Sequence, residues 1–97
     1  MKKYKVIISD SAIGNIIKIY NYIAFELLSP ETALKQYNLI VNSILKLETF
    51  PEKYVIDETK YKKIRNVRRM NVSKFVVFFL VDKNVVKIIS VLYGGMN

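Results

Sequence analysis

The 97-residue chain contains neither cysteine nor histidine. Without cysteine there is no disulfide framework and no thiolate metal site, and without histidine the usual imidazole base and metal ligand is missing too. Zinc chemistry and histidine-based triads are therefore excluded, and no metal or cofactor is expected. Acidic residues are also scarce: eight Asp and Glu stand against sixteen Lys and Arg, for a net charge of +8. That imbalance favours polyanions, with nucleic acid or an acidic protein as the leading partner classes. Long apolar runs are missing as well. The basic start Lys2-Lys3-Tyr4-Lys5 leads into only a few apolar residues before Ser9 and Asp10, too few for the apolar segment of a signal peptide. Nothing approaches the roughly 18 uninterrupted apolar residues of a membrane span. A cytoplasmic protein without membrane contact is the expectation.

What is present is the composition of a folded domain, 52% hydrophobic and 25% charged. A single domain over residues 1–97 is expected. A chain of this length buries about two-thirds of its unfolded surface, so any site must lie on the surface or in a shallow groove. Tyr4 to Ile8 reads as a short strand, followed at once by a helix that Asp10 or Ser11 would cap. Ile13, Ile16, Ile17, Tyr20, Ile23, Ala24 and Leu27 recur at three and four, the spacing of an amphipathic helix. Ser29-Pro30-Glu31 signals a second helix start, with Ser29 accepting from a free backbone N–H and Pro30 at the first helical position. Ala33, Leu34, Tyr37, Ile40, Val41, Ile44 and Leu47 share one face of that helix, which ends at Thr49-Phe50-Pro51 because a residue before proline leaves helical geometry.

From Glu52 to Lys63 periodicity disappears, in a loop long enough to need a purpose. Lys60, Lys62, Lys63, Arg65, Arg68, Arg69 and Lys74 then crowd one stretch that has no Asp or Glu between Thr59 and Val81. Ile64, Val67, Met70 and Val72 allow a strand with a bulge or turn. Phe75 to Val81 and Val85 to Leu92 are clear strands joined by Asp82-Lys83-Asn84, and their nearly continuous apolar character means that at least one is central or has its outer face covered by a partner. The end, from Tyr93 to Asn97, reads as loose. The expected fold is α+β in the order β-α-α-β-β-β, a helical hairpin packed on one face of a small, mostly antiparallel, twisted sheet.

With that order, the sequence resembles the RelE/ParE toxins of bacterial type II toxin-antitoxin systems over nearly its whole length. The resemblance rests on Tyr4 to Leu27, on Leu47-Glu48-Thr49-Phe50-Pro51, and on Val67-Arg68-Arg69-Met70-Asn71-Val72-Ser73-Lys74-Phe75-Val76-Val77-Phe78-Phe79. It also rests on Val81-Asp82 and on the closing run Val86 to Gly94. It implies a compact toxin neutralised by a cognate antitoxin. The target would be ribosome-bound mRNA, cut by a metal-independent endonuclease as in the RelE branch, or DNA gyrase, inhibited by protein contact as in the ParE branch. Many members end the last strand with Tyr or His, Gly and a basic pair. Here Tyr93 is followed by Gly94-Gly95-Met96-Asn97, and the terminal cations are missing.

Cleaving RNA through its own 2′-hydroxyl needs a proton acceptor, cations for the extra charge on phosphorus and an acid for the leaving oxygen. Without histidine the base would be a carboxylate, a lysine or a tyrosine, while arginine suits the charge-stabilising role. Arg69 falls where the family has an arginine before its central strand and Tyr93 where it has a terminal aromatic. With Arg65, these are the candidate catalytic residues. Lys60, Lys62, Lys63, Arg68 and Lys74 are the candidate substrate-binding residues, and Arg68 lies on the face opposite Arg69 if the segment is extended. Each has an ordinary structural alternative. The lysine run can be a solvated surface, Arg68 and Arg69 can pair with Glu52, Asp57 or Glu58, and Tyr93 can be a packing residue at the sheet edge. Glu48 and Glu52 are either carboxylate bases or surface groups. Tyr20, Tyr22, Tyr37 and Phe50 read as core or groove packing residues rather than base-stacking ones, and Tyr4, Tyr54 and Tyr61 have no assigned place. The antitoxin implied by the resemblance would lay an acidic, initially disordered segment along the helices and sheet.

Overall fold

The computed structural model of the chain describes residues 2–94; Gly95, Met96 and Asn97, expected to be loose, lie outside the described residues. Strand β1, Lys5–Ile8, runs straight into helix α1, Asp10–Asn21. The cap is Ser9 rather than Asp10 or Ser11. Ser9, just past β1, still has extended geometry and donates its N–H to the Ile88 carbonyl, and its Oγ accepts the Ala12 N–H at 3.1 Å. Asp10 instead enters the first turn, where a negative charge suits the helix dipole.

The first helical pattern continues to Glu26, but its last part, Tyr22–Glu26, widens into a π-helical turn, and Leu27 N–H reaches back five residues to Tyr22 O at 3.0 Å. Helix α2, Pro30–Leu45, begins with the anticipated proline. Ser29 does not cap it through its side chain. Its hydroxyl donates to Thr32 Oγ1 at 3.2 Å, and its carbonyl accepts the Ala33 N–H. Two short 3-10 turns follow, Lys46–Glu48 and Pro51–Lys53.

Strands β2 (Arg68–Val72), β3 (Phe75–Asp82) and β4 (Val85–Tyr93) complete a sheet of order β1-β4-β3-β2. β1 lies parallel to β4 and the other neighbours are antiparallel. The segment before β2 contains the turn, not the bulge, of the two allowed by its spacing: Asn66 has φ 63° and pairing starts at Arg68. The bulge lies instead between the central strands. Phe78 faces Ser90 while Phe79 faces Ile88, so Ile89 stands out of register. β1 stops at Ile8, and helix α1 satisfies the β4 backbone beyond it. Ser9 Oγ donates to Ile89 O at 3.1 Å and Asn15 Oδ1 accepts the Val91 N–H at 3.0 Å.

The main core lies between the helices and one face of the sheet, with Ala12, Ile16, Ile19, Ile23, Ala33, Ile40, Ile44 and Leu47 packed on Met70, Val72, Phe75, Val77, Phe79, Val86, Ile88 and Val91. Ile13, Ile17 and Leu34, expected on the buried faces, are about half exposed because the apolar stripes are wider than the strip of sheet beneath them. Phe50, read as a packing residue, is exposed too.

The long loop covers the opposite face. It starts on the core side with Tyr54 edge-on to Phe79 and wraps the free edge of β2 through Asp57 N–H to Val67 O and Arg69 N–H to Val55 O. On the outer face the Tyr61 ring then meets Phe78 at 5.6 Å and its hydroxyl lies 2.6 Å from Ser90 Oγ. This accounts for the apolar character of β3 and β4: both are central, and Tyr61 covers part of their outer face at Phe78 and Ser90. Among the described residues no helix is long and apolar enough to cross a membrane.

Candidate functional site

Alternation along β2 buries Met70 and Val72 against the helices and sends Arg69 to the outer face, opposite Phe78. There Arg69 Nη1 pairs with Asp57 Oδ2 at 3.2 Å. Asp57 also accepts the amide and the hydroxyl of Thr59, at 2.9 and 2.5 Å. The two Thr59 hydrogen bonds, and after them the charges of Arg69 and Lys62, hold the Asp57 carboxyl below its ordinary range. Arg68, on the other side of the strand, is committed to the protein's own backbone. Its Nη1 donates to Tyr54 O at 2.6 Å and to Glu52 O at 3.1 Å.

Tyr93 is elsewhere. Opposite Phe75 at the far end of β4, it packs on the helix-side core, with its ring 4.9 Å from Phe75 and 6.1 Å from Tyr22. The partners of Tyr93 and Arg69, Phe75 and Phe78, stand three positions apart on β3, about 10 Å along the strand. The two also lie on opposite faces of the sheet. Lys74 joins the Tyr93 end: its carbonyl accepts the Gly94 N–H at 3.2 Å, and Lys74 and Tyr93 both line a cavity of about 230 Å³ with Ser29, Thr32, Gln36 and Ser73. Lys60, Lys62, Lys63 and Arg65 are exposed on the loop, with the Lys60 ammonium 5.7 Å from the Tyr61 ring centre. Apart from Arg68, the candidate residues therefore form two groups, Tyr93 with Lys74 on one face and Arg69 with the loop cations on the other.

A third feature escaped the sequence reading. Ile17 and Tyr20 of α1 face Leu34 and Tyr37 of α2 across an open, wholly apolar groove of about 270 Å³, with the two tyrosine rings edge-on at 6.3 Å. The signal was present in the width of the apolar stripes, which exceeds what one buried layer requires.

Comparisons with known proteins agree with this architecture. A family model described as ParE toxin of type II toxin-antitoxin system, parDE, matches residues 6–97. Among solved structures, the chromosomal ParDE TA system from P. aeruginosa superposes with a TM-score of 0.78 at 19% identity, covering 94% of this chain and 96% of the other. No curated protein matches in sequence.

Proposed function

The chain belongs to the ParE toxin family of type II toxin-antitoxin systems, and on that footing we propose that it arrests growth by binding and inhibiting DNA gyrase, with no bond-breaking chemistry of its own. The observation that carries this reading is the separation of Arg69 from Tyr93. A group that stabilises charge on phosphorus and a group that orients the same phosphate must converge within about 3 Å of the reacting atoms. Here they lie on opposite faces of a sheet, and Arg69 is already paired with Asp57. A surface acting by protein contact needs no such convergence. The alternative, a ribosome-dependent mRNA endonuclease, draws support from the exposed, basic loop of Lys60, Lys62, Lys63 and Arg65.

The cognate antitoxin of such a system would occupy the groove of Ile17, Tyr20, Leu34 and Tyr37. Its apolar side chains would replace water there, and acidic residues around them would answer the toxin's +8 charge.

Controlled induction in bacteria separates the two targets within minutes. Gyrase inhibition gives an early DNA-damage response with intact message, and the purified chain then blocks supercoiling by gyrase. Early loss of translation with cut message would overturn the gyrase reading and make Arg65, Arg69 and Tyr93 the residues to substitute.

A further inference from the structure

Phe50 has a conformation that its packing does not explain. Its backbone is left-handed, with φ 49° and ψ 48°, a region costly for a bulky residue, yet its side chain is 67% exposed. The surroundings enforce this geometry. Pro51, fully buried, follows directly, and the Arg68 guanidinium holds the carbonyls of Glu52 and Tyr54 on the next turn. The result is an aromatic ring presented to solvent from a rigid support.

Beside it lies a cavity of about 220 Å³ lined by Lys2, Tyr4, Phe50 and Glu52. Its polar groups are arranged in advance. Tyr4 is tied down by its N–H to Glu48 O at 2.8 Å, and its hydroxyl donates to Glu52 Oε1 at 2.9 Å. Among the described residues the second oxygen of Glu52 has no partner. The Lys2 ammonium lies 4.7 Å from the centre of the Tyr4 ring. Below the roughly 300 Å³ of a drug-sized site, the cavity suits one flat ring system. A fixed carboxylate accepts hydrogen bonds and cannot donate them, so it selects a ring edge rich in N–H groups. A cationic ligand is disfavoured, since Lys2 already covers the Tyr4 ring and the chain carries +8.

We propose that this cavity binds a guanine base. The base would stack on Phe50, present its adjacent N1–H and N2–H groups to Glu52, and place its phosphate near Lys2. The base can come from a free guanine nucleotide or from a single strand. The site is independent of whether gyrase or message is the target.

Amide chemical shifts of the full-length chain, followed by NMR, test this with GMP, AMP, inorganic phosphate and a short uridine oligonucleotide containing one guanosine. GMP should move the amides of Tyr4, Glu52 and Lys53 saturably and bind at least roughly fivefold more tightly than AMP, as a two-point contact to a base edge implies. Phosphate alone should leave these amides in place. Tighter binding of the oligonucleotide than of GMP marks single strands as the source, and the reverse marks the free nucleotide. Glu52→Gln should erase the preference for GMP over AMP. Phe50→Gly separates stacking from folding, because glycine relieves the left-handed strain. That variant should melt no lower than the parent yet lose GMP binding, and Phe50→Trp should keep it. Equal shifts with phosphate alone, equal binding of GMP and AMP, or a Phe50→Gly variant that binds GMP like the parent would each overturn the proposal.

Discussion

Arg68 and Arg69 are adjacent in the chain and similar in composition, yet the pleat gives them different work. Arg68 serves two backbone carbonyls at the base of the loop, and Arg69 serves one carboxylate on the outer face. Removing Arg68 leaves the Glu52 and Tyr54 carbonyls without their charged donor, and a hydrogen bond of that type contributes about 1.5–3 kcal/mol. Arg68→Ala should therefore lower the urea midpoint at unchanged slope, and Arg68→Lys should recover only part of the loss, because an ammonium lacks the planar fork. For Asp57 the consequence is a pH dependence. Its folded-state carboxyl is held below the ordinary range, so its contribution is fully present above about pH 4 and is lost as the pH falls through the lowered value. Thermal melts should find Asp57→Asn less stable than the parent at neutral pH, with the gap closing in acid. A gap that persists undiminished below pH 3 would show that Asp57 contributes through something other than its charge.

The order and type of the elements were legible because they rest on local rules: helical spacing in residues 12–47, a proline at the start of α2 and another beyond its end, and β-branched runs around a short polar turn. What could not be read depended on contacts distant in sequence. Ser9 becomes the cap because Ile88, nearly eighty residues on, holds its N–H. The loop's purpose lies in Tyr61 meeting Phe78 and Ser90 across the sheet, and no periodicity marks such a contact. The site was legible in part: pairing of an arginine with Asp57 was one of the alternatives, whereas the opposite placement of Arg69 and Tyr93 required the strand register. The helical hairpin carries its own prediction. Leu34 is 53% exposed, so Leu34→Glu should change stability by no more than about 0.5 kcal/mol. At the centre of a docking groove the same change should cost the antitoxin complex about 2 kcal/mol or more, the scale of an interface hot spot. Calorimetry on the complex reads the second effect and denaturation of the toxin alone the first. If Leu34→Glu leaves antitoxin affinity untouched, the groove is not the docking surface.

At the scale of the molecule, a charge of +8 on 97 residues acts at a distance, whereas the helical groove acts only on contact. The two should therefore appear in different rate constants of antitoxin binding. Long-range attraction raises the encounter rate and is screened once the Debye length falls from about 10 Å at 0.1 M salt to about 3 Å at 1 M. Burial of apolar side chains is insensitive to such screening and governs the lifetime of the complex. Raising salt from 50 mM to 1 M should slow association roughly ten- to hundredfold while dissociation changes little. Leu34→Glu should do the reverse, accelerating dissociation beyond its modest effect on association. Stopped-flow association and competition-chase dissociation, measured on the same toxin–antitoxin pair, give both constants. Salt acting mainly on dissociation would mean that charge pairs, not the apolar groove, hold the complex together once it has formed.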